Sequence, residues 1–456
     1  MSDGHQNGNS IVELPREWRR DKIARLCDFV GSGGTPPTGN PDFYDGAIPW
    51  VQTGDLEDDW LDETAKTITD EGLRHSAARL YPRDTLLVAM YGATIGKLGI
   101  LKFSAAVNQA CCALVVRKTM DMRFMFYTLK SLRADLIAEA LGGGQQNIGQ
   151  ETIKQTYVIY PPLAVQQRIA AYLDASCAAI DAAVAAKRRQ LETLDALRKS
   201  IIAQSVTKGL NQRAQQRDSG VEWFGEIPTH WRCEHLKRFT TRIQTGCTPP
   251  TDTPDYYFDG TIPWFAPGSY DGDVELRESR KLINELARHE GVLRMFPGET
   301  VFLVGIGATI GKVGLIRQEA ACNQQIIGIV SNHRMMGRYL AYQFKIYEDV
   351  IPGIASATTL PIFDQVKTGY LPTLQPPRTE QEAICVFLDA KLVEMKRLVG
   401  GIESQIATLT AYRKSLIHEC VTGQRRITEA DSAGSPQADV TAAQRVEPSL
   451  SNLRQI

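Results

Sequence analysis

Apolar residues recur with two different spacings along the chain, and the change of spacing divides it into segments. Short apolar runs separated by Gly and Pro, such as 85–89 and 300–304, predict β-strands. From Leu163 to Val206 there is no Gly and no Pro, and a double proline precedes the segment, so a long helix is predicted there. A second long helix is predicted after Pro376-Pro377. Shorter helices are predicted over 124–140 and 336–349.

In both long helical segments, apolar residues alternate by four and three positions, which predicts a coiled-coil seam. In the first segment the seam positions are Leu173, Cys177, Ile180, Val184, Lys187, Leu191, Leu194, Arg198 and Ile201. In the second they are Leu388, Leu392, Met395, Val399, Ile402, Ile406, Leu409, Arg413 and Leu416. Two matched helices favour pairing with each other, and the alternative is that each packs on its own globule. Gly400-Gly401 is expected to weaken or bend the second helix.

The chain also repeats itself. Thr35-Pro-Pro-Thr returns as Thr248-Pro-Pro-Thr at an offset of 213, and Ile48-Pro-Trp returns as Ile262-Pro-Trp at 214. Gly92-Ala-Thr-Ile-Gly-Lys returns as Gly307-Ala-Thr-Ile-Gly-Lys at 215, as do Asn108-Gln109 and Arg198-Lys-Ser. The second copy carries one extra residue after its proline loop. A drift of two residues over such a length indicates one duplication, which gives halves at 14–210 and 227–425.

These patterns predict an α+β fold of two similar mixed α/β globules separated by two long antiparallel coiled-coil helices, with pseudo-two-fold symmetry. The predicted boundaries are 1–160 for the first globule, with 1–10 disordered, and 161–212 for the first helix. The second globule is predicted at 213–375, its helix at 376–426 and a disordered tail at 427–456.

Composition restricts the classes of function. With 51 Lys+Arg against 52 Asp+Glu the net charge is −1, so a role on nucleic acid requires local patches or a basic partner. Nine cysteines without a C-x-x-C pair fit reduced thiols. The polar first ten residues and the absence of an uncharged apolar run of about 18 residues lead us to expect a cytoplasmic protein without a membrane span.

Candidate catalytic motifs fail. The Gly92 and Gly307 loops have three residues between their glycines and no Ser or Thr after the Lys, so neither is a phosphate-binding loop of the Walker type. The double prolines lack the acidic or amide residue and the aromatic of an amino-methyltransferase. The histidines show no metal-ligand spacing. We therefore expect a chain that is not itself an enzyme and binds no metal.

Two similar globules joined by long helices suit a DNA reader, because a two-fold protein reads two half-sites at a spacing set by its own geometry. The chain resembles the specificity subunit of type I restriction–modification systems over about 14–425. The resemblance is carried by Asp218–Trp231 (DSGVEWFGEIPTHW), by the two glycine loops, and by the Pro-Pro entries to both helices with Gln166 and Gln381.

The resemblance implies a non-catalytic subunit that reads a bipartite double-stranded DNA site through two target-recognition domains. It also implies that the chain holds two methyltransferase subunits, which restriction (motor and nuclease) subunits can join. S-adenosylmethionine, ATP and Mg²⁺ are then expected in the partner subunits, and none of them on this chain. The alternative is a non-catalytic bivalent protein adaptor without DNA specificity.

Candidate DNA contacts fall in loops, where base-reading side chains are held. Lys97 and Lys312 share a position in the glycine loops and suit phosphate. The candidates for reading bases are Gln145, Gln146 and Asn147 in the first half and Thr358 and Thr359 in the second. Thr53 and Ser269, after the Ile-Pro-Trp segments, are weaker candidates, and Trp50 and Trp264 are interpreted as core residues.

The candidate residues for the spacer and for partner docking are those of the helix seam. They are Leu173, Ile180, Val184, Leu191 and Arg198 in the first helix, and Leu388, Met395, Ile402, Leu409 and Arg413 in the second. The two arginines share a polar seam position, where they either fix the register of the helices or face a methyltransferase; the sequence does not decide between these.

Overall fold

The computed structural model describes residues 16–139, 147–355 and 362–433. The chain divides into two compact units. Unit 1 comprises the chain up to Lys187 together with the chain from Glu403 onward, and unit 2 comprises Arg188–Ile402. Both long helices therefore contribute to both units.

The first repeat contains short strands, short helices and one long helix. Its strands are β1 (Arg19–Lys22), β2 (Cys27–Ser32), β3 (Tyr44–Val51), β4 (Asp59–Leu61), β5 (Thr67–Ile68), β6 (Arg79–Tyr81), β7 (Leu86–Ala89), β8 (Leu98–Leu101), β9 (Ala105–Val107), β10 (Cys111–Val116) and β11 (Tyr157–Tyr160). Its helices are α1 (Ile23–Leu26), α2 (Asp70–Arg74), α3 (Met122–Glu139), α4 (Gln150–Gln155) and α5 (Leu163–Lys208).

The second repeat has the same kinds of element. Its strands are β12 (Gln216–Asp218), β13 (Glu226–Pro228), β14 (Arg232–His235), β15 (Thr240–Thr245), β16 (Ile262–Phe265), β17 (Glu275–Leu276), β18 (Lys281–Ile283), β19 (Met295–Phe296), β20 (Val301–Val304), β21 (Val313–Ile316), β22 (Ala320–Cys322), β23 (Ile326–Ser331) and β24 (Pro372–Gln375). Its helices are α6 (Glu285–His289), α7 (Gly337–Phe344), α8 (Tyr347–Ile354), α9 (Gln365–Gly369), α10 (Arg378–Val421) and α11 (Glu429–Ala433).

The sheets of the two repeats share one topology. The five-stranded sheets run β2-β10-β7-β8-β4 and β15-β23-β20-β21-β17, and the four-stranded sheets run β5-β3-β9-β6 and β18-β16-β22-β19. Even the register is shared, since Leu86 pairs with Leu114 and Val301 pairs with Ile329 at an offset of 215. The duplication read from the sequence is therefore a duplication of fold, and the predicted class of two mixed globules with two long helices is confirmed.

Apolar strands form the centre of each globule. All four residues of β7, β8, β20 and β21 are buried, as expected of strands covered on both faces. Helix α3 covers the first sheet with its buried segment from Phe124 to Leu129. In the second repeat the corresponding segment is divided between α7 and α8. Each globule thus has a core that holds the loops between its strands in place.

The long helices pair antiparallel within unit 1. Arg168, near the start of α5, lies against Ile427 and Glu429, whereas Asp181, further along, pairs with Arg413 at 3.1 Å. In unit 2, Arg198 of α5 donates to the Gly272 carbonyl at 2.5 Å, and Lys396 of α10 pairs with the adjacent Asp273 at 2.7 Å. All eighteen predicted seam positions are buried or half-buried.

The glycine pair in the second helix does not interrupt it. Helix α10 continues through Gly400-Gly401 as one element of 44 residues. Ile402, directly after the pair, is a buried seam residue, and Val399, directly before it, is half-buried. Two glycines cost about 2 kcal/mol of helix propensity, and tertiary packing of an apolar face supplies most of the stability of a helix in a protein.

The predicted start of the disordered tail at 427 is wrong for 427–433. Ile427 is 4% exposed and belongs to the core of unit 1, and Arg168 donates to its carbonyl at 3.5 Å. Thr428 and Asp431 then bond to each other where α11 begins. Burial of a full Ile side chain is worth about 1.5–3 kcal/mol, so Ile427 adds to these hydrogen bonds in holding the turn.

Helix α5 is long and apolar enough, by length and composition alone, to cross a membrane, with an 18-residue window of mean hydropathy 1.5. Its apolar character has a structural explanation in this fold. Leu173, Cys177 and Ile180 pack in the core of unit 1, and Ile201 is buried in unit 2. The expectation of a chain without a membrane span remains a prediction.

Candidate nucleic-acid interface

The two glycine loops have the same backbone geometry. Gly92 and Gly96 have φ of 85° and 75°, and Gly307 and Gly311 have φ of 102° and 90°, a region that favours glycine. Gly96 N–H donates to the Ala89 carbonyl at 2.8 Å, and Gly311 N–H donates to Val304 at 2.9 Å. Each loop therefore closes a tight hairpin, β7–β8 or β20–β21.

Both hairpins carry a lysine at the same position. Lys97 is half-buried and Lys312 is exposed. Among the described residues, neither lysine has an ion pair with a carboxylate. A cation that both loops present without an internal counterion is suited to an external anion such as a DNA phosphate.

A turn with the sequence Asn-Gln lies beside each glycine loop. In the first repeat, Met90 N–H, at the end of β7, donates to the Ala110 carbonyl at 2.8 Å. In the second, Gly305 N–H donates to the Gln325 carbonyl at the same distance. Asn108 Oδ1 and Asn323 Oδ1 each accept from a backbone N–H two residues later, at 3.0 and 3.1 Å. These bonds hold the turn and the glycine loop together.

The Thr-Pro-Pro-Thr loops pack against the same turns. Thr35 Oγ1 donates to Gln109 Oε1 at 2.6 Å, and Thr248 makes the same bond with Gln324. Thr35, Gln109, Thr248 and Gln324 were missed as candidate site residues. Their signal was available, because both members of each pair recur in the other half at nearly the same offset.

Close backbone contacts fix the start of these loops. A Cβ added to Gly33 would lie 1.8 Å from the Val107 carbonyl oxygen, and one added to Gly246 would lie 1.9 Å from that of Cys322. The buried indoles of Trp50 and Trp264, 1% and 6% exposed, each donate to a carbonyl of the same loop at 3.1 Å. Both tryptophans are core residues, as predicted.

The segment after the third helix reaches the glycine loop as well. Ile148 N–H donates to the Met90 carbonyl at 2.7 Å, and Phe363 N–H donates to Gly305 at 2.8 Å. The preceding residue Asn147 forms a β-bridge with Tyr91 and is exposed. Its side chain is thus presented next to the loop of Lys97. Gln145, Gln146, Thr358 and Thr359 lie outside the described residues.

Thr53 and Ser269 occupy different structural positions. Both are half-buried, in one-turn 3₁₀ helices at Thr53–Asp55 and Pro267–Ser269. The counterpart of Ser269 is Asp55. The Asp55 carboxylate accepts from Gln52 N–H at 2.7 Å, and Ser269 Oγ accepts from Ala266 N–H at 3.4 Å. Ser269 therefore closes its own turn, which explains its presence without a base contact.

Each repeat thus brings three loops together at one end of its sheets, with Lys97 and Asn147 in the first repeat and Lys312 in the second. We use the term loop cluster for the glycine loop, the Asn-Gln turn and the Thr-Pro-Pro-Thr loop of one repeat, together with the segment that begins at Asn147 or Ile362. The predicted phosphate contacts and Asn147 belong to these clusters, whereas Thr53 and Ser269 belong to a neighbouring turn.

The described part of the chain contains no candidate metal site, and two of its buried thiols are unreactive. No group of three or more His, Cys, Asp or Glu residues in 16–139, 147–355 and 362–433 could hold a metal ion. Burial raises the pKa of Cys27 and of Cys112 to about 12, so these thiols stay protonated and unreactive near neutral pH.

The two seam arginines differ in what they contact. Arg413 pairs with Asp181 of the facing helix and bonds Cys177 there, so it lies in the contact between the two helices in unit 1. Arg198 bonds the Gly272 carbonyl of the second globule. The other seam candidates are apolar. Leu173, Ile180, Leu388, Met395, Ile402 and Leu409 are buried, and Val184 and Leu191 are half-buried.

Fold and site together define a class of protein: a duplicated chain in which each repeat joins a mixed globule, bearing one loop cluster, to one long helix. Residues 15–193 match the family model of the type I restriction modification DNA specificity domain. The resemblance to type I specificity subunits that the sequence shows is thereby confirmed.

The chain is also similar to proteins named as type I specificity subunits. The chain is 22% identical to the type I restriction enzyme MjaIX specificity subunit of Methanocaldococcus jannaschii over 431 residues, which cover 92% of this chain and 96% of the relative. It is 24% identical to the EcoR124I/EcoR124II specificity subunit of Escherichia coli over 48% of this chain and 49% of that one. Because these relatives are specificity subunits, the prediction that the chain is not itself an enzyme is confirmed.

Solved structures share the fold. A chain from a study of complex assembly and conformational transition in the type I R-M system superposes with a TM-score of 0.71 at 16% identity, over 90% of this chain and 98% of that one. The HsdS subunit from Thermoanaerobacter tengcongensis gives 0.51 at 16% identity, over 91% and 99%.

Proposed function

We propose that this chain reads a bipartite double-stranded DNA site for a type I restriction–modification complex, one half-site with each globule. The observation that carries the proposal is the loop cluster built twice from the same hydrogen bonds. A duplicated site on a duplicated fold is suited to a ligand that presents two sites, and DNA with its two half-sites is such a ligand.

Within each cluster the division of labour follows from what the repeats share. The lysine of the glycine loop is common to both, and a phosphate contact carries no sequence information. The position of Asn147 is taken by Ile362 in the second repeat, at an offset of 215. Because Asn pairs with adenine and an apolar side chain contacts the thymine methyl group, the two half-sites differ in sequence.

Partner docking is supported by the outer faces of the long helices. Exposed apolar residues recur there by three and four, as Ala171, Ala175, Ala178, Ala182 and Ala185 in α5 and as Ala383, Val386, Ala390 and Val393 in α10. Val386 and Val393 are 64% and 71% exposed. This spacing is that of a helix-packing face, and two such faces provide for two methyltransferase subunits.

The chemistry then belongs to the partners. Methyltransferase subunits supply S-adenosylmethionine, and restriction subunits that join the assembly supply ATP and Mg²⁺ chemistry. The net charge of −1 fits this division, because partners contribute to neutralising the DNA backbone. The proposed location is the cytoplasm, where the chromosome of a bacterial or archaeal host is accessible.

A selection experiment tests the proposal. The chain is purified together with a type I methyltransferase subunit from its host and used to enrich binders from a random duplex library. The expected result is one bipartite motif with two different halves and a fixed spacer. Enrichment without sequence preference would contradict the proposal and favour the protein adaptor. A variant with Lys97 and Lys312 both changed to Ala retains the motif but binds it more weakly.

A further inference from the structure

The junction between globule and long helix carries the same partly buried polar contacts in both repeats. In the first, Arg123 Nε donates to Asp174 Oδ1 at 3.0 Å, and the Tyr127 hydroxyl donates to the same oxygen at 2.7 Å. Arg123 and Tyr127 belong to α3 of the globule, and Asp174 belongs to the long helix α5. We call these three residues the first junction lock.

The second repeat builds the lock again at an offset of 215. Arg338 pairs with Asp389 of α10 at 2.7 Å, and the Tyr342 hydroxyl donates to the same carboxylate. Tyr127 and Tyr342 are both 3% exposed. Burial raises the pKa of both tyrosines and the neighbouring aspartate adds to the effect, so the hydroxyls keep the protons they donate.

A second contact lies two helical turns before each lock. The Gln166 side chain, 1% exposed, accepts from Asp121 N–H at 2.8 Å and donates to the Pro161 carbonyl at 2.8 Å. Gln381, fully buried, accepts from Met336 N–H at 2.8 Å and donates to Pro376 at 2.9 Å. Each globule is therefore attached to its helix at two points, which restrains rotation about either one.

The residues around the two locks differ, but in both repeats they hold the arginine against its aspartate. In the first repeat the Arg123 guanidinium lies 5.8 Å from the Trp60 ring. At the position equivalent to Trp60, the second repeat has Glu275, whose carboxylate accepts from Arg338 at 3.2 Å. An aromatic face and a carboxylate are two different ways to hold a cation, and both keep the arginine on its aspartate.

We propose that the two junction locks are positioning elements that set the spacer length of the bipartite site, an inference that rests on the proposed function. One base-pair step moves a half-site by about 3.4 Å along the DNA axis and rotates it by about 36°. A globule that tilts on its helix could follow such a step, whereas a locked globule could not. The loop clusters select the half-site sequences, and the locks select their separation.

The test compares the two lock tyrosines with a third tyrosine of similar burial. Tyr127→Phe removes the lock bond without changing shape, and Tyr342→Phe does so in the second repeat. The control is Tyr81→Phe, since Tyr81 is 2% exposed and donates to the Ser32 carbonyl at 2.9 Å within the globule. Each variant replaces the chromosomal gene, and N6-methyladenine is mapped across the genome.

The expected result is a rise of about tenfold, equivalent to about 1.4 kcal/mol, in methylation of sites whose spacer is one base pair longer or shorter, with unchanged half-site sequences. Tyr81→Phe leaves the spacer profile strict, although it lowers the melting temperature of the purified chain about as much as Tyr127→Phe does. Asp174→Asn, which keeps the shape but not the charge, gives the same relaxed profile as Tyr127→Phe.

Equal spacer profiles for Tyr127→Phe, Asp174→Asn and Tyr81→Phe would overturn the proposal and leave the locks as ordinary stabilising contacts. The absence of any bipartite motif in the unmodified strain is a different result, because it contradicts the proposed function itself.

Discussion

The two globules share a backbone plan but differ sharply in surface chemistry next to the loop clusters. Four exposed positions that are polar in the first repeat are apolar in the second: Glu139 corresponds to Ile354, Asn147 to Ile362, Glu151 to Val366 and Gln155 to Tyr370. The four apolar residues are 43–68% exposed. The duplicated fold has therefore kept the bonds that build the loops and changed exposed side chains around them. Of the four pairs, Asn147 and Ile362 belong to the loop clusters, and the others lie on or beside the short helices before and after them.

The comparison teaches where specificity resides. Bonds such as those between Thr and Gln, or between Trp and the loop carbonyl, recur because they determine backbone position. Side chains that point outward are free to diverge, since they cost the fold little. The predictions below change equivalent positions in both globules, so that a shared role and a divergent role give different outcomes.

The largest expected effect is on the shared loop backbone. Gly33→Ala and Gly246→Ala each force a Cβ into a carbonyl oxygen, and we expect a loss of about 3 kcal/mol in the free energy of unfolding. Gly54→Ala is the control, because a Cβ there meets nothing within 4 Å. Thermal and denaturant unfolding measure the difference, and equal stability of Gly33→Ala and Gly54→Ala would contradict the described packing.

The next effect concerns the divergent pair. Asn147→Ile and Ile362→Asn exchange the two residues. Each is expected to change the base preference in one half of the DNA motif, with a change in discrimination between bases of about 1–3 kcal/mol. Selection from a random duplex library shows which half changes. A change in both halves, or in neither, would show that these side chains do not read bases.

A smaller effect on DNA affinity, equal in the two globules, is expected when the lysine shared by both glycine loops is removed. Lys97→Ala and Lys312→Ala each remove one phosphate contact, which lowers affinity equally for all sequences and reduces the slope of log K against log salt by about 1. Lys102→Ala is the control, because Lys102 already pairs with Asp62. Loss of sequence preference in either lysine variant would contradict a phosphate role.

The smallest effect is expected at the threonines. Thr35→Val and Thr248→Val remove one neutral hydrogen bond each, worth about 1 kcal/mol. Because the loops keep their glycine contacts and tryptophan bonds, binding to the native motif falls only a few-fold in a gel-shift titration. A fall as large as that from the Gly33 change would mean that this bond, and not the backbone packing, holds the loop.

Much of this fold could be predicted from the sequence. The repeat offset predicted two copies of one fold, and the 3/4 spacing of apolar residues predicted helices close to the observed Leu163–Lys208 and Arg378–Val421. The 3/4 spacing is a local pattern, and the repeat is visible as identical residues at a nearly constant offset. The ordered position of Ile427 was not predicted, because Arg168 of α5, which donates to its carbonyl, lies 259 residues earlier in the chain.

The candidate site could be predicted only in part. Lys97 and Lys312 stand out because a whole motif surrounds each of them. The bond between Thr35 and Gln109 joins residues 74 positions apart and depends on the register of β2 on β10 and of β3 on β9, which no local pattern reveals. Thr53 and Ser269 were proposed because each follows an Ile-Pro-Trp segment, although Asp55 is the structural counterpart of Ser269.

The most direct measurement is a genome-wide map of N6-methyladenine in the host, with this gene intact and with it deleted. If each globule reads one half-site, a single bipartite motif with two different halves and one spacer length disappears on deletion. An unchanged map in a strain whose partner methyltransferase is expressed and active would contradict a role in DNA recognition.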